Sequence, residues 1–401
     1  MEITLQRSPN DSECDVSRRE HTHRTQQTSA TSGRITDSTS PYAVAQSAAP
    51  SRQEITVGLF GRRPKARTAQ AQKAAIATFW TWWDQNAQPI ADSIATGELE
   101  RFIKPMSARV HAIDPGLSWE FGAGDSSRHQ LTITAEGDPQ LRRTARQWLR
   151  EAPPADQTWS FHDLRQASGL NATLQLNEAT LVLSEITVTA IPVGSGLNVT
   201  VHHPAFAGLS DVMQAQISAL ALDAALGEEA VELWIGTIEH TPTATAQAIP
   251  LGELSAALAE VIAEYMPDGE MAWTMLRGTG PRGLVQVLCL TRLASVQSPD
   301  FDQHVAITVP FSDITDEGLA GEAALDELRA FSAHLDEIVE GSGKLVAEET
   351  SDGVRILHYY VDSTTPASEQ LQVATRGWRQ GVVEITTSLD PSWHEVAAFR
   401  S

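Results

Sequence analysis

The chain has only two cysteines among its 401 residues, and it has no long apolar run. Cys14 lies in a polar stretch and Cys289 far away in the apolar run LVQVLCL, so a structural disulfide is not expected and a reducing cytoplasm is favoured. A membrane span needs roughly 20 apolar residues, and the N-terminus shows no apolar signal region. These absences argue against a secreted protein and against a membrane protein.

Motifs that mark common reaction centres are also missing. The sequence has no C-x-x-C, H-E-x-x-H or EF-hand pattern for a metal, and no G-x-S-x-G for a serine nucleophile. Residues 278–283, GTGPRG, match G-x-G-x-x-G, but a predicted strand follows instead of a helix, and Pro281 removes an amide. We therefore predict a hairpin turn at this position, and neither a cofactor nor a metal.

Charge is distributed unevenly along the chain. Residues 1–69 hold ten Lys or Arg and seven Asp or Glu, whereas residues 70–401 hold 19 and 44, a net charge of −25. Nucleic-acid binding depends on cations that contact phosphates, so the acidic part is not expected to bind nucleic acid. Its acidity either keeps the protein soluble or presents an acidic face to a basic partner.

The first 55 residues are rich in Ser, Thr, Gln and Arg and show little apolar periodicity, which is typical of disorder. The following VGLFGRRPKAR looks like the beginning of a bacterial protein, so we hypothesise that the natural chain starts at Val57 and lacks residues 1–56. The basic GLFGRRPK is too short for a stable membrane anchor. We assign residues 1–69 to a disordered tail, 70–267 to an N-terminal α+β domain and 268–401 to a C-terminal α+β domain.

Three of the ten tryptophans lie within FWTWW, residues 79–83. Apolar residues recur at helical spacing around this stretch, and Trp80 and Trp83 fall within the resulting stripe, so both are predicted to be buried. Trp82 falls off the stripe and is a candidate contact for a partner protein. Pro89 is expected to kink this helix or to start a second one.

From residue 117 onward, short strands alternate with helices. LSWEF, QLTITAE, a helix capped by Asp138 and TWSFHDL form a β-β-α-β unit. A second unit follows, with VELWIGTIE as its last strand, and the C-terminal half repeats the pattern less regularly. The predicted fold is α+β, with two halves made of two-layer sandwiches of ferredoxin-like type built from repeated β-β-α-β units.

Several of these stretches resemble known families. FWTWW, DPGLSWEF, LTITAEGD and ALDAALGEEAVELWIGTIE together resemble an uncharacterised family of bacterial proteins. From MAWTMLRG to DPSWHEVAAF, the chain is similar to the bacterial domain of unknown function numbered six hundred and ninety-five. The resemblance covers about residues 75–400 and implies a fold, but it supplies no catalytic residues. Such domains can neighbour a ferredoxin-like regulator that inhibits ribonuclease E, which implies a regulatory role by analogy only.

Two groups of histidines and acids are candidates for a metal or catalytic site. Asp300, Asp302 and His304 lie on one face if their segment is extended, although its composition favours a solvated edge. His202 and His203 are adjacent on a strand, so they point to opposite faces and cannot easily share a metal.

Paired carboxylates are common, and acid/base chemistry needs one of two carboxyl groups to be desolvated. These pairs lie at helix ends and turns, so they are expected to be solvated and ionised. They are Glu228-Glu229, Asp316-Glu317, Asp336-Glu337 and Glu348-Glu349.

The strand that contains HYY, residues 358–360, places His358 and Tyr360 on one face, which is either core or a surface for a partner. The candidate partner-binding residues are Trp82, His358 and Tyr360. The leading hypothesis is a non-enzymatic protein-binding or regulatory protein of the bacterial cytoplasm that engages a protein partner through an open sheet face or edge. The alternatives are an enzyme, for example a hydrolase, with Glu120 and His202 among the residues of a cleft between the halves, and a toxin-immunity or inhibitor protein.

Overall fold

The computed structural model describes residues 4–7, 69–170, 173–176, 179–280 and 283–400. Helices and strands of these residues form a mixed α+β fold with four sheets, which confirms the predicted α+β class. Within the predicted tail, β1 (Thr4–Arg7) forms a strand; Val57 and the rest of the tail lie outside the described residues. Among the helices described, none is long and apolar enough to cross a membrane.

The N-terminal layer packs three helices on a three-stranded sheet. Strand β4 runs parallel to β3 and is reached through α3, whereas β2 and β3 are antiparallel. Asp138 caps α3, because its carboxylate accepts a hydrogen bond from the backbone N–H of Gln140 at 3.0 Å. The elements are α1 (Ala69–Thr96), α2 (Glu100–Ile113), β2 (Ser118–Gly122), β3 (His129–Thr134), α3 (Pro139–Arg150) and β4 (Trp159–His162).

Helix α1 does not end at Pro89 but continues to Thr96, so of the two predicted alternatives, a kink or a second helix, the second helix is wrong. Proline removes one backbone hydrogen bond, but Ile90 just beyond it is fully buried, and this packing holds the next turns in place. Trp83 is buried as predicted, and Trp80 is partly buried, with its ring stacked on that of Trp148 at 4.8 Å.

The middle part forms a second β-β-α-β succession, in a separate four-stranded sheet with the order β10-β7-β8-β9. Strands β7 and β8 are antiparallel, and β9 is parallel to β8. A two-stranded hairpin of β5 and β6, which the sequence did not predict, precedes them. The elements are β5 (Thr173–Leu176), β6 (Ala179–Val182), β7 (Thr187–Val193), β8 (Gly196–His202), α4 (Asp211–Leu226), α5 (Glu228–Trp234), β9 (Ile235–Thr241), β10 (Ile249–Pro250) and α6 (Leu254–Tyr265).

The predicted strand VELWIGTIE is only partly a strand. Its first four residues belong to α5, and β9 starts at Ile235. Gly227 ends α4 at φ +83°, a conformation that glycine adopts without strain, and the chain can therefore begin a new helix immediately. The local pattern of apolar residues does not reveal this turn.

The C-terminal part forms a seven-stranded antiparallel sheet with the order β1-β11-β12-β14-β15-β13-β16. The hairpins β11–β12 and β14–β15 lie at the predicted turns GTGPRG and SDG. In the SDG turn, Asp352 and Gly353 adopt φ values of +50° and +72°. The elements are β11 (Trp273–Gly280), β12 (Gly283–Leu290), β13 (Gln303–Pro310), α7 (Glu322–Ile338), β14 (Gly343–Ser351), β15 (Val354–Val361), α8 (Ala367–Ala374) and β16 (Glu384–Leu389).

Buried apolar side chains form three clusters. One belongs to the N-terminal layer, and another lies between the C-terminal sheet and helices α7 and α8. The largest contains residues such as Phe206 and Leu254 together with Cys289, Trp393 and Phe399. Side chains from both sides of the predicted boundary at 267 therefore share one core.

Candidate functional site

The C-terminal sheet has an inner face that packs on α7 and α8 and an outer face that is only partly covered. Side chains alternate along a strand, so Val305 and Ile307 of β13 face the helices, whereas His304 and Ala306 face outward. On the outer face, β13, β15 and β16 line a depression of about 330 Å³. Its lining residues are His304, Ala306, Thr308, Ile356, His358, Thr386, Thr387, Ser388 and Glu395.

Two histidines form a hydrogen-bonded pair at the covered end of this depression. His304 Nε2 lies 3.1 Å from His358 Nδ1, and both residues are buried. Burial and, to a smaller extent, the neighbouring His304 together lower the pKa of His358 to about 3. Burial also lowers the pKa of His304. Within the described part of the chain, His358 Nε2 has no hydrogen-bond partner. Both imidazoles are therefore neutral at physiological pH.

This pair predicts a loss of stability in mild acid. The unfolded chain takes up a proton on each imidazole near pH 6.5, while folded His358 stays neutral until about pH 3. The contribution of the neutral histidines to the free energy of unfolding is therefore fully present above pH 6.5, and it decreases as the pH falls below 6.5. Between pH 7 and pH 5, urea denaturation should show that the wild type loses about 2 kcal/mol more than His358→Gln. The exposed His334 of α7 provides the control, and an equal pH slope in His334→Gln and His358→Gln would contradict the prediction.

A C-terminal strap, residues 390–399, closes the other part of the outer face. Trp393 stacks on Tyr360 at 4.6 Å between ring centroids, and its indole N–H donates to the carbonyl of Phe301 at 2.9 Å. The hydroxyl of Tyr360 donates to Asp390 at 2.6 Å, and the ring of Phe399 packs edge-on against His358. Tyr360 consequently has no exposed surface, and a partner could contact its side chain only after displacing the strap.

Strand β16 lies at the end of the C-terminal sheet, so only one edge of its backbone pairs with a described strand. Just beyond the β13–β16 ladder, the N–H of Asp390 donates to the carbonyl of Asp302 at 2.7 Å, which identifies these two as a hydrogen-bonded pair. Because paired residues alternate between bonded and non-bonded sites in an antiparallel ladder, Ile385, Thr387 and Leu389 direct their N–H and C=O groups away from β13. Among the described residues, no strand pairs with this edge.

Apolar side chains flank the free edge. Val382 and Leu389 are 84% and 70% exposed, the highest values among the large apolar residues that the structure describes. Proteins usually protect an edge strand with charge, proline or a covering element, because an exposed edge accepts another strand. On the outer face, Glu384 lies opposite Thr308, and Glu395 accepts a hydrogen bond from Ser388 at 3.2 Å.

The structure does not place Asp300 and Asp302 with His304, and the prediction of a solvated edge for them is wrong. Both aspartates are buried. Asp300 pairs with Arg150 at 2.5 Å and Asp302 with Arg143 at 2.8 Å, so helix α3 of the N-terminal layer uses them to dock on the C-terminal part. These ion pairs could not be predicted from local sequence, because about 150 residues separate the two partners of each pair.

Glu228 is also buried, contrary to the predicted solvated pair. It accepts hydrogen bonds from the Thr134 hydroxyl at 2.6 Å and from the backbone N–H of Arg165 at 3.0 Å. The guanidinium of Arg165 pairs in turn with Glu120 at 3.0 Å and with Asp223 at 3.5 Å. Burial raises the pKa of Asp223 to about 7, although Arg165 opposes that rise. Glu120 is thus part of a network that joins the N-terminal layer to helices α4 and α5.

His202 lies apart from these acids. Its Nε2 is 2.7 Å from the hydroxyl of Thr189 on the neighbouring strand, and burial lowers its pKa. Among the described residues, no three His, Cys, Asp or Glu side chains converge in a way that could hold a metal ion. The candidates for an enzyme site therefore fall into separate structural groups.

The remaining sequence candidates occupy defined positions. Trp82 is partly buried, and the guanidinium of Arg109 lies over its ring at 4.3 Å. GTGPRG joins β11 to β12, with Gly280 and Gly283 as the last cross-strand pair, in agreement with the predicted hairpin; Pro281 itself lies outside the described residues. The sequence did not predict that β16 forms the edge of the sheet, because the order of strands cannot be deduced from the local periodicity of apolar residues.

Together, the fold and this site define an α+β protein with a seven-stranded antiparallel sheet, in which β16 is a terminal strand with no further described strand beside it and part of one face forms a depression. Residues 287–399 match the model of a family of unknown function, DUF695, which confirms the resemblance of the C-terminal part. The match covers β12 to the strap and thus contains the histidine pair and β16. No curated protein and no solved structure matches the chain.

Proposed function

We propose that this chain is a non-enzymatic protein-binding or regulatory protein of the bacterial cytoplasm, and that its partner docks as an added strand on the free edge of β16. The observation that carries the proposal is the row of backbone groups on Ile385, Thr387 and Leu389, which point away from β13, pair with no strand in the described part of the chain, and are flanked by exposed apolar side chains. Added strands bind through such backbone groups, and neighbouring side-chain sites supply specificity. The depression beside β16 offers such a site.

A binding function is preferred to a catalytic one because the acidic residues considered for an active site form ion pairs with arginines. Asp300, Asp302 and Glu120 each face an arginine within 3.0 Å, which is an arrangement that fixes parts of a fold together. A toxin-immunity or inhibitor protein is one form that the proposed binding function could take. We also propose that the two β-β-α-β successions represent a repeat of ferredoxin-like type, although they lie in two separate sheets.

A proline at position 387 tests the proposal. Its ring removes the outward N–H of Thr387, while the bonds between β16 and β13 use the neighbouring residues, so the fold is expected to persist. Proteins retained from a host lysate by the immobilised full-length chain should include one that Thr387→Val retains equally and Thr387→Pro retains at least about tenfold less, by quantitative mass spectrometry.

Two outcomes would contradict this assignment. Equal retention of every protein by both variants, at unchanged melting temperature, rejects the edge as the docking site. Loss of a retained protein in Trp82→Ala but not in Thr387→Pro would instead place the contact on helix α1.

A further inference from the structure

We infer that the free edge of β16 selects an antiparallel partner segment in which basic and apolar side chains alternate, with two Lys or Arg four residues apart. This inference rests on the proposed docking at β16 and adds the chemistry of the partner. It follows from which side chains of β16 lie on each face and from the charges beside them.

The outer face of the edge is acidic at both ends. Residues directly opposite each other in an antiparallel ladder share a face, so Glu384, opposite Thr308, projects to the same side as the depression. At the other end, Glu395 lines the depression and is hydrogen-bonded to Ser388. Ser388 lies four positions after Glu384, which at about 3.3 Å per residue is a distance of about 13 Å along the strand.

The inner face of the same edge is apolar. Ile385 packs against the cluster between the sheet and its helices, and Leu389 extends the apolar row into solvent. Between them, Thr387 lies opposite the buried Val305. An added strand would therefore place small apolar side chains opposite Ile385, Thr387 and Leu389, and basic ones opposite Glu384 and Ser388.

Charge complementarity also separates the candidate occupants. Residues 70–401 carry a net charge of −25, so a second copy would bring two strongly acidic bodies together, whereas a basic segment is attracted at long range. A docked basic strand would form hydrogen bonds with the outward backbone groups of β16. In the same position, its basic side chains would neutralise the charges of Glu384 and Glu395.

The test uses the full-length chain and a fluorescent peptide, VKVTVK, whose register places its lysines opposite Glu384 and Ser388. Fluorescence anisotropy should show binding that weakens about tenfold for VEVTVE, because two attractive charge pairs become repulsive. Glu384→Lys should reverse part of this preference by weakening VKVTVK and strengthening VEVTVE. Circular dichroism and melting temperature check that the variant is folded.

Backbone methylation separates this inference from the proposed function. N-methylation of the central valine, opposite Thr387, removes an N–H that points toward β16 and should abolish binding. N-methylation of the threonine opposite Thr386 removes one that points away and should leave the affinity unchanged.

Each result has one consequence. Equal affinity for VKVTVK and VEVTVE, with the methylation pattern as expected, overturns the basic partner but leaves edge docking intact. Binding that ignores the methylation site, or no binding of either peptide, contradicts docking at the edge for these segments and overturns the inference. Dimerisation of the full-length chain that Thr387→Pro abolishes, measured by sedimentation, would assign the edge to a second copy.

Discussion

Replacement of Arg165 by alanine is expected to lower the free energy of unfolding by about 3–5 kcal/mol, because it leaves the buried carboxylate of Asp223 without its counter-charge. The Arg165 guanidinium pairs with Glu120 of β2 and with Asp223 of α4, so it bridges the N-terminal layer and helix α4. Urea denaturation at pH 7.5 measures the loss. The loss should shrink at pH 5, since Asp223, with a pKa of about 7, then binds a proton and no longer needs the guanidinium.

Arg329 provides a matched control for this prediction. It also pairs with a carboxylate, Asp326 at 3.5 Å, but both side chains are more than two-thirds exposed. Exposed pairs contribute at most about 1 kcal/mol, so Arg329→Ala should change stability little. Similar losses of unfolding free energy in both variants would contradict the prediction that the buried ion pairs of Arg165 stabilise the fold more than an exposed pair does.

Replacement of Trp393 by alanine is expected to cost about 3–5 kcal/mol, the range for truncating a buried aromatic side chain. Trp393 is 2% exposed, stacks on Tyr360 and donates its indole N–H to Phe301. Its backbone adopts a left-handed conformation, φ +54°, which is unfavourable for a bulky residue; the ring stacking and the indole hydrogen bond hold the residue in this conformation. Denaturation and near-ultraviolet circular dichroism measure the loss of stability and of packing.

The same substitution should loosen the strap over the histidine pair. Proton titration by NMR should then show the pKa of His358 rising from about 3 toward its ordinary value, because water reaches the imidazole. Trp273→Ala is the control, since Trp273 is partly exposed at the start of β11 and should cost less than about 1 kcal/mol. An unchanged titration of His358 in Trp393→Ala would refute the covering role of the strap.

The features that the sequence predicts well are those with local causes. The hairpin at SDG follows from residues that tolerate positive φ, and the burial of Trp83 follows from the helical spacing of its apolar neighbours. The start of α5 was not predicted, and the sequence left open whether α1 continues past Pro89 or a second helix starts there, because tertiary packing overrides local preference at both places.

Long-range pairing explains the errors at the candidate site. Asp300 and Glu228 look like solvated acids in sequence, because their partners are distant in the chain: Arg150 for Asp300, and the Arg165 backbone and Thr134 for Glu228. The open edge of β16 depends on which strand comes last in the sheet, and that order is set by the whole topology. The pair of His304 and His358 likewise depends on the register between β13 and β15.

The family match begins at Val287, within the hairpin of β11 and β12. A protein consisting only of the matched segment would lack the neighbour of β12 and would leave Cys289 and Phe399 without the Phe206 side of their shared cluster. In this chain, residues outside the matched segment therefore supply both a strand that pairs with β12 and part of the apolar cover of the sheet.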